Sequence, residues 1–104
     1  MISSLADRIA KIDQYFRSHG HADTERERLY ARVIKLNEEV GELCEAILTE
    51  SDVLQRKKEK AIDLDAELAD VIITTLLIAA MREKDIWRSV DEKLTKQMER
   101  FNLE

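Results

Sequence analysis

The chain is 104 residues long, with 22 acidic against 17 basic residues, a net charge of −5, no proline and two glycines. That balance argues against nucleic acid as a partner, because neutralising phosphates takes a basic face, and the length corresponds to one domain spanning 1–104, since domains run to roughly 100–150 residues. A domain of this size buries only about two thirds of the surface its unfolded chain exposes, so a second copy would add materially to the core, and a homodimer or homotetramer is expected.

Ala, Leu, Ile, Glu, Lys and Arg dominate the remainder, and these side chains mostly lose little freedom in a helix, so the expected fold class is all-α. The first helix is signalled by Ser4 as N-cap, by Leu5, Ile9, Ile12 and Phe16 at helical spacing, and by Gly20 as a stop. A polar loop, 18–24, follows. It contains His19 and His21, an HxH pair without further ligands nearby.

The second helix should run from about Thr24 to about Glu50, because Leu29, Val33, Leu36, Val40, Leu43 and Ile47 alternate spacings of four and three. Tyr30, Arg26 and Arg28 are near its start. Cys44 is the sole cysteine, which excludes an intrachain disulfide; it reads as a small buried residue, not a nucleophile. With no signal-peptide pattern at the start, a cytoplasmic location is expected.

Residues 51–60 lose the helical period and carry Arg56, Lys57, Lys58 and Lys60, which reads as a solvated connection. The third helix carries Leu64, Leu68, Val71, Thr75 and Ile78 on one face, but beyond Asp70 its other faces are apolar too. A helix apolar all round is surrounded by protein, so this segment, Ile73 and Leu77 included, is expected at a subunit interface. It falls far short of the roughly 20 apolar residues a membrane span requires. The last helix starts from Asp85 as cap and carries Trp87, Val90, Leu94, Met98 and Phe101, with Trp87 read as a packing residue.

The chemistry is concentrated in two acidic pairs. Glu39 and Glu42 are three residues apart on the second helix, with Glu38 and Glu45 beside them, and Glu67 and Asp70 repeat that spacing on the third. A lone ExxE reads first as a solvated helix face. Geometry changes that reading: with the second helix ending near Glu50 and the third starting near Lys60, Glu42 lies about 12 Å from one end and Glu67 about 10 Å inside the other. An antiparallel hairpin would place both pairs at one height. Four carboxylates brought together must hold protons or bind cations, and oxygen-only ligands suit Mg²⁺ or Mn²⁺. A di-iron bundle would use Glu-x-x-His pairs, which are missing from both motifs.

The segment Glu38-Glu39-Val40-Gly41-Glu42, followed after 24 residues by Glu67-Leu68-Ala69-Asp70, resembles the MazG-like nucleoside triphosphate pyrophosphohydrolases, whose signature is EExxE followed by ExxD. The likeness covers roughly Leu29 to Phe101. It implies an all-α, four-helix bundle-type fold assembled into an oligomer, in which Glu39, Glu42, Glu67 and Asp70 hold Mg²⁺. It further implies that a nucleoside triphosphate is cut between its α and β phosphates to a monophosphate and pyrophosphate. Cations standing between an acidic pocket and a polyanionic substrate agree with that chemistry. Glu38 is the candidate for orienting a ligand or water, so Glu38 and Glu39 are the catalytic candidates. Lys93, Gln97 and Arg100 share a face of the last helix and could hold phosphate oxygens; relatives often carry Lys and Asn here, and Gln97 stands where that Asn would be.

Two rival readings stand beside this one. Phosphoribosyl-ATP pyrophosphohydrolases use a similar helical acidic pattern, but a Tyr-His commonly follows their ExxD, whereas Val71-Ile72-Ile73 follow here. From another class, a non-catalytic helical interaction module would use the same acids only for solubility. The base-binding residues are not readable from the sequence.

Overall fold

The computed structural model describes residues 2–51 and 61–104, with side chains from Ser4 onward, and the regular structure in these residues is all helical. The order is α1 (Ile2–His19), α2 (Glu25–Glu50), α3 (Leu64–Ala79) and α4 (Ile86–Arg100). Helix α1 starts before Ser4, so Ser4 is not its cap: Ile2 and Ser3 are only moderate helix formers, but neither breaks a helix. Its end is as expected. The Gly20 N–H reaches Phe16 O at 2.9 Å, and a Cβ at Gly20 would stand 2.6 Å from that oxygen, so close approach requires glycine there.

Thr24 caps α2, its hydroxyl accepting from Glu27 N–H at 3.1 Å and donating to the Glu27 carboxylate at 3.2 Å. Residues 52–60, which hold most of the expected solvated connection, lie outside the described residues. Helix α3 begins at Leu64 and not near Lys60, because Asp63 serves as its N-cap and accepts from Ala66 N–H at 3.1 Å. Glu67 is therefore in the first turn, about 5 Å from the start, where a carboxylate is favoured by the helix dipole. Asp85 caps α4 as expected, accepting from Trp87 N–H at 3.0 Å. That helix closes through left-handed Asn102, with Leu103 N–H on Met98 O at 2.8 Å.

Helix α3 packs along α2, and α1 lies against α3. What joins the three is polar. Arg32 on α2, only 8% exposed, donates from Nη1 to Leu77 O at 2.6 Å and forms an ion pair with Asp13 of α1 at 2.6 Å. The last four carbonyls of an α-helix have no partner within it. Ala80, Met81 and Arg82 N–H groups take those of Leu76, Ile78 and Ala79, and Arg32 takes that of Leu77, so α3 ends with every carbonyl satisfied.

Apolar cover is much thinner. Leu77 is the only hydrophobic residue that is buried among the described residues, at 6% exposure. It is covered within its own protomer, which corrects its assignment to a subunit interface. Ile72 and Ile73 on the same helix remain exposed, as do Val33, Val40 and Ile47 of α2 and the α4 stripe Val90, Leu94, Met98 and Phe101. The radius of gyration is 16.8 Å, against about 13 Å for a compact domain of this length.

Candidate metal centre

The bond from Arg32 to Leu77 sets the register of α2 against α3. Glu39 lies seven residues after Arg32, and Asp70 lies seven before Leu77, so the two antiparallel helices bring them level about two turns farther along. Glu42 and Glu67 form the next row, three residues beyond. One carboxylate oxygen from each of Glu39, Glu67 and Asp70 falls within 4.8 Å of the others.

The group is graded from floor to mouth, with Glu39 buried, Glu67 half-buried and Asp70 exposed. On the floor, Glu39 Oε2 and Glu67 Oε2 are buried with no hydrogen-bond partner. Leaving a buried acceptor unsatisfied costs about 1–3 kcal/mol, more when it is charged. Three converging carboxylates with two orphaned oxygens form a hard, all-oxygen donor set that fits a divalent cation such as Mg²⁺ or Mn²⁺.

Glu42 is exposed and stands outside the three-oxygen group. It still feels the cluster: the negative charge of Glu39, then desolvation and the charge of Glu67, hold its carboxyl above the usual range. Lys35 lies one turn before Glu39 and reaches it at 3.2 Å, and Glu38 at 3.7 Å. The hydrogen bond to Glu39 raises the ammonium pKa. Glu38 is exposed, and this long ion pair is its contact with the site.

Lys93, Gln97 and Arg100 are exposed on α4. None of them is hydrogen-bonded or ion-paired to α2 or α3 among the described residues, and Arg100 lies 5.1 Å over the ring of Phe101. Among the described residues the HxH pair joins no metal group; His19 stacks on Tyr15 at 4.2 Å and its Nδ1 bonds Tyr15 O at 3.0 Å. Cys44 is exposed, contrary to the buried expectation. Arg26 donates to Tyr30 Oη at 2.9 Å, so these two pair with each other on the surface. Trp87 is half-buried and lines a 290 Å³ cavity with Leu5 and Ile9.

Sequence reasoning missed Asp13, Arg32 and Lys35. A signal existed for two of them: Arg32, Lys35, Glu39 and Glu42 repeat at three, four and three residues and so share one helix face. Basic residues on a helix read as solvated until a partner helix is placed against them.

The fold and the site together define an all-helical protein with a carboxylate cluster on two antiparallel helices. The model of the MazG nucleotide pyrophosphohydrolase domain matches residues 28–102, and the chain belongs to that family. The match takes in α3, α4 and nearly all of α2, and leaves α1 and Asp13 outside. The chain has no match among curated proteins or among solved structures.

Proposed function

We propose that this chain is a Mg²⁺-dependent nucleoside triphosphate pyrophosphohydrolase that cleaves an NTP or dNTP to the monophosphate and pyrophosphate, clearing non-standard nucleotides. The observation that carries the reading is the convergence of Glu39, Glu67 and Asp70 within 4.8 Å, with buried, unpartnered oxygens on Glu39 and Glu67, in a member of this family. These three carboxylates would hold the cation, with Glu42 joining from the rim; Mn²⁺ suits the same oxygens. Bound there, the cation supplies charge neutralisation and polarisation of phosphate oxygens.

In the reaction a water oxygen adds to the α-phosphorus, the bond from that phosphorus to the bridging oxygen breaks, and pyrophosphate leaves. Glu38, on the solvent side of Glu39, orients that water, and Glu39 fixes the geometry from the floor. Lys93, Gln97 and Arg100 hold phosphate oxygens. They border the exposed apolar stripe of α4, so a second copy covering that stripe would bring them to a site. The exposed apolar residues and the extended shape support a homodimer or homotetramer, built from one domain of residues 1–104. No helix among the described residues is long and apolar enough to cross a membrane, and a cytoplasmic location agrees with a free cysteine.

The test is pyrophosphate release from a panel of purified nucleoside triphosphates with Mg²⁺ or Mn²⁺. Turnover is expected for the wild type and not for folded Glu42→Ala or Asp70→Ala. Activity surviving both changes would reject the site. A panel with no turnover at all would favour the non-catalytic interaction module.

A further inference from the structure

Three carboxylates converge at the seam between α2 and α3, with Glu38 and Glu42 at their rim. Among the described residues the cation ion-paired with this group is Lys35, whose Nζ lies 3.2 Å from Glu39 Oε1 and 3.7 Å from Glu38 Oε2. Arg32, about one turn earlier on the same helix, is committed to Asp13 and to Leu77 O. Glu39 is thus divided: Oε1 meets an ammonium, and Oε2 is buried with no hydrogen-bond partner.

The two members of this pair are held very differently. Glu39 is fixed by burial, with 8% of its side chain exposed, whereas 56% of the Lys35 side chain is exposed and its ammonium is shared with Glu38. A long exposed side chain gains little from such a pair, because screening and lost rotamer freedom offset most of the attraction. Lys35 therefore supplies charge more than it supplies position. It also has somewhere to go. Lys35 lines the open cavity of about 440 Å³ between α1, α2 and α3, where Phe16, Ala31 and Leu77 give apolar surface. Its methylene stem can lie along that surface while the ammonium stays in water.

We infer that Lys35 is a built-in competitor for the metal centre: its ammonium and a divalent cation contend for Glu39, and Lys35 swings toward the cavity when the cation is held. The inference rests on the metal reading of the carboxylates given above. Two positive ions at one carboxylate repel each other, and a dication about 5 Å from an ammonium loses roughly tenfold in affinity even at the dielectric constant of water. Lys35 accordingly favours the apo protein and weakens the grip on the metal in equal measure, since one ion pair is exchanged for another. The centre keeps its cation exchangeable as a result.

The test is Mn²⁺ binding to the nucleotide-free protein, followed by electron paramagnetic resonance at about 0.15 M salt. Lys35→Met, similar in length but uncharged, should bind Mn²⁺ about threefold to tenfold more tightly than the wild type, and Lys35→Arg should stay within about twofold of it. Arg28→Gln removes the same charge about 16 Å of helix before Glu39, beyond the Debye length of about 8 Å at that salt, and should leave binding unchanged. In thermal melting, Lys35→Met should melt below the wild type without metal, and the difference should vanish at saturating Mn²⁺. Unchanged or weaker binding in Lys35→Met, the latter being the mark of a residue that positions Glu39, would overturn the inference. So would a Lys35→Arg protein that tightens as far as Lys35→Met, or an equal gain in Arg28→Gln, which would make net charge the cause. A wild type that binds no Mn²⁺ would overturn the metal reading and this inference together, whereas Mn²⁺ binding that ignores Lys35 defeats the inference alone.

Discussion

Removing the carboxylate of Asp13 tests what holds the three-helix body together. In Asp13→Ala, Arg32 keeps only the neutral Leu77 carbonyl at 2.6 Å, while its side chain stays about nine-tenths covered. A buried charge that loses its partner costs about 3–5 kcal/mol. Asp13 is less deeply covered than Arg32, with 14% of its side chain exposed, so water can enter its place and about 2–3 kcal/mol is expected. Against a total stability of about 5–15 kcal/mol, that moves a urea midpoint by about 1–2 M. Combining Asp13→Ala with Arg32→Met removes the orphaned charge, since an apolar replacement for both members of a buried pair is often nearly neutral. The double variant should regain at least about 1 kcal/mol over Asp13→Ala alone. Because the clamp sets the α2–α3 register, Asp13→Ala should also weaken Mn²⁺ binding although it touches no carboxylate of the cluster. A single variant costing under about 0.5 kcal/mol, or a double variant as unstable as the sum of the singles, would refute the clamp.

The same pair gives stability a pH dependence with a definite sign. Burial alone would raise the Asp13 carboxyl, but hydrogen bonds from Arg32 and Arg17 outweigh it and hold the group below its ordinary value. The folded state thus binds this proton less readily than the unfolded chain. Its contribution is fully present above the unfolded carboxylate value and is lost as pH falls through the lower folded one. Acid denaturation curves of the wild type and Asp13→Asn should accordingly differ at neutral pH and converge in strong acid.

Three further outcomes follow from particular positions. Glu67→Gln should stabilise the metal-free protein by about 1 kcal/mol, since it relieves repulsion in the cluster, and should abolish Mn²⁺ binding in the same preparation; unchanged binding would remove Glu67 from the site. Gly41→Ala should stabilise by about 0.5–1 kcal/mol, because a Cβ there meets no atom within 4 Å; a loss of stability on thermal melting would mean that another surface approaches Gly41. Ile72→Asp, at an exposed residue of α3, should dissociate the oligomer in light scattering and leave the protomer folded, whereas Leu77→Asp should unfold it. A wild-type protein that is already monomeric would contradict the first half.

How much the sequence reveals differs from one element to the next. Thr24, Asp85 and Gly20 act over three or four residues of chain, so the ends they mark are legible locally. Ser4 misleads because a capping residue is also tolerated inside a helix when nothing before it breaks the ladder. The periodic stripes of α2 and α4 are real, yet Val40, Leu94 and Phe101 are uncovered in this protomer. Periodicity reports that a face is apolar, and it carries no information about which molecule covers it.

The acidic site is legible for a different reason from the one the spacing first suggests. A direct hairpin with its third helix starting near Lys60 would have matched the heights of the two motifs through the connection alone, but α3 starts at Leu64. The heights agree because Arg32 holds the end of α3 at Leu77, seven residues from Glu39 on one helix and from Asp70 on the other. Residues on one helix face at that separation keep their alignment over two turns, so a contact at one end of the seam is transmitted as geometry to the carboxylates. The motif names the groups that do the chemistry, while their convergence is a tertiary property, set by an arginine and an aspartate that lie nineteen residues apart in sequence. Neither carries a mark of its role until α1, α2 and α3 are placed together.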